Sequence, residues 1–329
     1  MRRRNFLCAL GGAAAGLPLS AHAQQRGRTP RIGVLWHAGN AEEEGEYFTT
    51  LIQGFRDFGY VEGRTVAFEH RFANEEYDRF QSLADELVSL NIDVLVAVTR
   101  LAAAAARNAT RSLPIVFMAV PDPVGNKFAD SLARPGHNMT GLATLQLDIT
   151  GKRLELLKDA IPGLSRVAVL SNPRDALFHR RTIENLARES AALNLTIRPF
   201  EARTPREISE VFPQIARDNV QAVFISNDPM LFNERRRIAA LGLEDKLPIQ
   251  TTVRLGVLVG AFMCYGHDVL SAFRRVGYYA NRILKGDKPS DLPIEQIDKF
   301  ELLFNLTTAK ALGINIPYTL IARADGVIE

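Results

Sequence analysis

The residues best placed for chemistry fall in short loops, each following an apolar run that reads as a strand. Trp36-His37-Ala38-Gly39-Asn40 leads into three acids, Glu42, Glu43 and Glu44. Thr99-Arg100-Leu101 precedes an alanine-rich stretch, and Pro121-Asp122-Pro123, Asn172-Pro173 and Asn227-Asp228-Pro229-Met230 follow later runs. A hydroxyl at a helix start, beside free N–H groups and a partial positive charge, suits a carboxylate. Arg100, next in line, adds a guanidinium able to grip a carboxylate through two hydrogen bonds, or else lies on the surface while Thr99 caps the helix. Asn or Asp followed by Pro is also an efficient helix start, so these residues serve as caps or as ligand contacts. Trp36, the single tryptophan, is core or a flat stacking surface at a strand end. The acidic triplet complements the dipole of a first turn and makes that helix start unfavourable for an anion.

Catalytic constellations are absent from the pattern. The six histidines are scattered, and Cys264 with His267 has no second pair of the kind a zinc site needs. No G-x-S-x-G elbow or G-x-x-x-x-G-K phosphate loop occurs. The sequence therefore points away from an enzyme and implies no metal and no cofactor. Arg235, Arg236 and Arg237 sit in a helical pattern as a solvated face.

The elements carrying these loops alternate. Residues 32–36, 66–72, 94–99 and 115–120 read as strands. Between them run helical stripes, one capped by Asn40 with Tyr47, Leu51, Phe55 and Phe58 on its apolar face. The pattern then restarts: Arg31-Ile32-Gly33-Val34-Leu35 is echoed by Arg166-Val167-Ala168-Val169-Leu170. Strands near 195–200, 222–226 and 248–252 alternate with helices near 180–192, 205–217 and 231–241. A last amphipathic helix covers about 269–284 and ends at Lys285-Gly286, with Pro289 beyond. Strands separated by helices make a parallel sheet, and two such halves predict an α/β protein of two Rossmann-like lobes with a cleft between them. In such sheets ligands bind beyond the carboxyl ends of the strands, where all of these loops lie.

Residues 1–23 read as an export signal: Arg2, Arg3 and Arg4, an apolar run over 6–19, then Ala21-His22-Ala23. The run falls short of the ~20 residues of a membrane-spanning helix, which makes it a cleavable address. The arginine pair before Asn5-Phe6-Leu7 resembles a twin-arginine signal, so the export route stays open. These three arginines account for the formal charge of +3, so the basic balance argues for no nucleic-acid partner. Of two cysteines, Cys8 leaves with the signal and Cys264 remains alone, so the fold rests on its core and not on an internal disulfide.

Long stretches of the chain carry a family resemblance: PIVFMAVPDPVGNKFADSLARPGHNMTGL over 114–142, GKRLELLKDAIPGLSRVAVLSNP over 151–173, and ILKGDKPSDLPIEQIDKFELLFNLTTAKALGINIP over 283–317. The sequence resembles the periplasmic substrate-binding proteins of ABC transporters, the group that includes tryptophan- and tyrosine-type binding components. That resemblance implies a type I periplasmic-binding fold with several hinge crossings. Lobe 1 would comprise 31–145 plus about 262–290, and lobe 2 would comprise 146–261 plus about 291–329. It implies a small carboxylate-bearing ligand held between closing lobes, permease subunits in the inner membrane as partners, and a periplasmic location. A carboxylate would meet Thr99 and its helix; an ammonium would meet Asp122 or Asp228. Arg100-Leu101 stands where relatives carry small residues, and Pro121 where glycine is common. Tyr265, in Cys264-Tyr265-Gly266, either lines the cleft or packs in the hinge. The candidate ligand contacts are thus Trp36, Thr99, Arg100, Leu101, Pro121, Asp122, Asn172, Asn227, Asp228, Met230 and Tyr265. A sensory binding protein feeding a signalling partner, or an exported enzyme, are the rival readings.

Overall fold

The computed structural model describes residues 28–145 and 148–329; the stretch over 1–23 that reads as an export signal lies outside them. Thirteen strands alternate with helices: β1 (Arg31–Trp36), β2 (Ala67–Phe72), β3 (Val94–Val98), β4 (Ile115–Pro121), β5 (Met139–Thr144), β6 (Arg166–Ser171), β7 (Thr196–Glu201), β8 (Ala222–Ile225), β9 (Ile249–Thr251), β10 (Met263–His267), β11 (Glu295–Gln296), β12 (Phe300–Asn305) and β13 (Gly326–Ile328). They form two sheets, of order β11-β5-β4-β3-β1-β2 and β13-β12-β10-β9-β8-β6-β7. The first is wholly parallel, and in the second only β10 and β12 run antiparallel. The near-continuous apolar runs of β3 and β8 are fully buried, as parallel strands covered on both faces must be. Each sheet separates two apolar clusters.

The strand order reverses between β1 and β3 in one sheet and between β6 and β8 in the other. At such switch points adjacent loops diverge and leave a crevice. The loops after β1, β3, β6 and β8 carry most of the candidate residues, while Pro121 and Asp122 lie at the end of β4 and Tyr265 within β10.

The chain crosses between lobes three times: after β5, after β10, and between β11 and β12. The expected boundaries shift accordingly. β10 belongs to the second lobe, because it pairs with β9 and β12, so the crossing follows His267 instead of residue 262. The return also comes later than 291, because Glu295–Gln296 pairs with β5 of the first lobe. Between these crossings the helix Val269–Leu284 covers the first sheet and packs on the helix Glu46–Arg56. Contact there is close enough to need glycine on both sides. A Cβ at Gly54 would lie 2.2 Å from the Arg274 carbonyl oxygen, and one at Gly277 would lie 2.1 Å from that of Gly54.

Two expected helices are broken. Gly45 (φ 60°) splits the first into Ala41–Glu44 and Glu46–Arg56, so Phe58 falls beyond its end and is exposed. Pro229–Asn233 and Arg235–Glu244 replace the single helix near 231–241.

Candidate ligand-binding cleft

The lobes face one another around a cavity of about 120 Å³ at the carboxyl ends of both sheets. Thr99, between β3 and the helix Arg100–Ala109, has φ 86° and ψ 165°. That region is almost restricted to glycine and costs a β-branched residue on the order of 1–3 kcal/mol. Its backbone is held at both ends, with its N–H donating to Met118 O and its carbonyl accepting from Ala103 N. The Thr99 hydroxyl is buried with no hydrogen-bond partner among the described residues, and it lines the cavity at the start of a ten-residue helix. A strained backbone presenting an unspent hydroxyl beside free helix N–H groups is an arrangement for an anionic ligand group.

Arg100 faces the cleft, but its charge is already engaged. Nε donates to Asp175 Oδ2 of the second lobe at 2.8 Å, and Nη2 donates to the same oxygen. Asp175 also caps the helix Ala176–Ala192, its Oδ1 accepting from Phe178 N. Leu101 and Pro121 line the cavity as expected. Asp122 does not: Arg181 donates to its Oδ2 through Nη1 and Nη2, each at 3.0 Å, and Gly125 N donates to Oδ1. This second cross-lobe ion pair removes Asp122 as a partner for a ligand ammonium.

Opposite Thr99 lies a hydrogen-bonded group around Asp228. Tyr77 Oη donates to Asp228 Oδ2 at 3.0 Å, while Leu231 N and Asn172 Nδ2 donate to Oδ1. Burial pushes the Asp228 carboxyl up, against these hydrogen bonds. The Met230 N–H adds a further hydrogen bond to this carboxylate, which lines the cavity. Asn227 lines the wall and accepts from Thr252 Oγ1. Tyr77 comes from the first lobe, so it and the two ion pairs hold the lobes closed on each other.

Next to Asp228 stands His37. Its Nδ1 lies 2.6 Å from Glu75 Oε1 and its Nε2 lies 3.6 Å from Glu44 Oε2. Burial alone would lower its pKa, but Glu44 and Glu75 outweigh that and hold it at about 9. The two carboxyls are themselves pushed up by burial, with His37 opposing. Glu44 is therefore not the exposed dipole partner that the acidic triplet suggested. It is fully buried and accepts from Ala38 N. Aromatic rings complete this end: Tyr47 stacks between Phe232 and Phe273.

Three expected contacts belong elsewhere. Trp36 is core, fully buried between Phe72 and Phe273, with Nε1 donating to His70 Nδ1 at 3.1 Å. In a strand whose alternate residues Ile32 and Val34 face the core, position 36 faces it too, and the cleft receives His37 instead. Met230 is buried in the second lobe's core. Tyr265 stacks on Phe300 outside the cavity wall, which takes Gly266 and His267 from the same strand. Residues that no motif marked also line the cavity, among them Tyr77, Thr144 and His179. Thr144 Oγ1 and His179 Nδ1 are buried without a partner among the described residues.

Residues 44–328 match the family described as ABC transporter substrate binding protein. The chain belongs to that family. Its members bind substrate and are not enzymes. A curated relative, the tyrosine-binding protein of Clostridioides difficile strain R20291, is 27% identical over 265 residues, covering 80% of this chain and 75% of the relative. A conserved domain protein from Vibrio cholerae superposes with a TM-score of 0.84 at 26% identity, over 91% of this chain and 100% of the other. An ABC domain in complex with L-Trp from Streptococcus pneumonia gives a TM-score of 0.83 at 22% identity, over 92% and 100%. The fold is thus the two-lobed type I periplasmic-binding fold. This substrate-binding protein belongs to a group that is generally extracytoplasmic, and none of its described helices is long and apolar enough to cross a membrane.

Proposed function

We propose that this protein captures a small amino-acid-like zwitterion outside the cytoplasm and presents it, lobes closed, to the permease of an ABC importer. The observation that carries the reading is the pairing of two unlike groups across one cavity. The unspent Thr99 hydroxyl at a helix start suits a carboxylate, and the Asp228 carboxylate of the second lobe, in the wall of the same cavity, suits an ammonium. Arg100 is engaged by Asp175 and His37 by Glu75, so these cations of the cavity wall are already paired, which favours monocarboxylates over dicarboxylates. Tyr47, Phe232 and Phe273 offer an apolar surface for the side chain. A cavity of about 120 Å³ compares with the 150 Å³ that encloses one benzene. In the conformation described it suits a small amino acid, and a ring-bearing one needs the lobes further apart. The names of the relatives, one tyrosine-binding and one complexed with L-Trp, support the same class. The leader of residues 1–23 supports export to the periplasm.

The test is a thermal-shift screen of the twenty amino acids, their deaminated acids and a set of dicarboxylates, followed by calorimetry. A ligand present at 100 times its Kd stabilises the fold by about 2.7 kcal/mol. Stabilisation by one or a few amino acids is expected. Stabilisation by dicarboxylates alone, or by no amino acid at all, would refute the ligand assignment.

A further inference from the structure

One side chain joins all three hinge crossings, and it also lines the ligand cavity. His267 ends β10, in the second crossing, and is buried. Its Nε2 accepts from the backbone N–H of Leu145 at 3.0 Å, in the first crossing. Its Nδ1 lies 2.8 Å from the carbonyl oxygen of Ile297, in the third. These partners fix the ring's state. A backbone N–H only donates, so Nε2 carries the lone pair; a carbonyl only accepts, so Nδ1 carries the proton. The ring is therefore neutral, as a single tautomer. We propose that His267 is the positioning residue for lobe closure, a neutral pin that sets how the three crossings lie together beneath the ligand.

The surroundings leave the pin little alternative. Phe300, opposite it on β12, holds the ring at 4.7 Å between centroids. The preceding residue has no room to shift, since a Cβ at Gly266 would lie 1.8 Å from the Thr252 carbonyl oxygen. Burial lowers the pKa of His267 to about 4, opposed by the Ile297 carbonyl and by Asp148 of the first crossing. The other charged groups nearby are turned away or exposed. Asp268 caps the helix Val269–Leu284 through Ser271 N, and Asp298 and Lys299 of the third crossing face solvent. Protonation would put a hydrogen on Nε2, against the Leu145 N–H, and break that bond.

The inference rests on the two-lobed closing mechanism proposed above but not on any particular ligand, so the experiment uses ligand-free protein. Spin labels at Arg64→Cys and Arg217→Cys occupy exposed sites before β2 and β8, at the ends of the two sheets that face away from the cleft. Cys264, the other cysteine of the described residues, is buried. Pulsed electron–electron resonance then reads the distribution of inter-lobe distances. His267→Asn keeps a donor for Ile297 but cannot reach Leu145, whereas His267→Ala keeps neither bond. The distribution should widen from wild type to Asn to Ala at pH 7.5. In wild type it should also widen between pH 7.5 and pH 4, where about half of the rings are protonated at a pKa of about 4, and this response should be absent from His267→Asn. Should the Ala variant not fold, the Asn variant and the pH response decide. A lower melting temperature with an unchanged distribution, or an identical pH response in wild type and His267→Asn, overturns the proposal. A failed ligand screen would leave this result standing, and an unchanged hinge would leave the ligand assignment standing.

Discussion

Removing the Arg100–Asp175 ion pair should weaken ligand binding by loosening the closed form. The two side chains are 19% and 15% exposed, so solvent screens them only in part. Two opposite charges about 4 Å apart attract by about 4 kcal/mol at an effective dielectric constant of 20, and desolvation cancels part of that. Hydrogen bonds between charged partners retain about 1.5–3 kcal/mol net, so about 2 kcal/mol is the working value. The partners lie on different lobes, so this energy belongs to the closed form, and its loss should raise Kd by about 30-fold. Asp175→Ala would also delete a helix cap, so Asp175→Asn, which can still accept from Phe178 N, is the cleaner change. Calorimetry on wild type, Arg100→Ala, Asp175→Asn and the double variant forms a double-mutant cycle, with the best ligand from the amino-acid panel. A coupling of about 2 kcal/mol is expected, falling at high salt. Asp175→Asn alone should newly admit dicarboxylates, because it frees the Arg100 guanidinium. A coupling below about 0.5 kcal/mol, or single variants whose effects simply add, would refute the reasoning.

Thr99→Gly should raise the ligand-free melting temperature, by relieving about 1–3 kcal/mol of backbone strain, and yet weaken binding; tighter binding would contradict the hydroxyl's role. Thr99→Val, matched in shape, should raise Kd by roughly 10-fold while Thr99→Ser stays near wild type by calorimetry. His37 is held at about 9, above its unfolded value. Its contribution is therefore complete below about pH 6.5 and is lost as pH rises toward 9, at up to about 1.4 kcal/mol per pH unit. Denaturant titrations from pH 6.5 to 9 should show that slope in wild type and a flatter one in His37→Gln. Trp36 emission should be that of a buried indole, resistant to acrylamide with or without ligand. Trp36→Phe should lower the melting temperature yet leave Kd within about 2-fold, and a large loss of affinity would return Trp36 to the cleft.

The lobes were legible because parallel strands buried on both faces leave long apolar runs, and because the second half restarts the pattern of the first. The switch-point loops follow from that alternation, and the structure places Thr99, Asn172, Asn227 and Asp228 of those loops in the cavity wall. Misplacements have local causes. Trp36 has the chemistry of a stacking surface, but it shares a core cluster with Ile32 and Val34, and His37 takes the cleft. The two-residue β11 is too short for any periodic signal, so the third crossing was set too early. Asp122 and Arg100 each carry the right chemistry for a ligand, but their partners, Arg181 and Asp175, arrive from the other lobe. Tyr77 lies in an irregular segment where Asn74 and Glu75 take positive φ, a geometry that no spacing rule marks.

The packing of Gly54 against Gly277 also bears on the order in which the molecule is built. One covering layer of the first sheet is the helix Val269–Leu284, made long after the strands it shields. A growing chain therefore has that sheet face covered only in part, by the helix Glu46–Arg56, until the second lobe is nearly complete. The first lobe reaches its full core only once most of the second has been made. That delay leaves part of the first lobe's apolar surface exposed through most of synthesis.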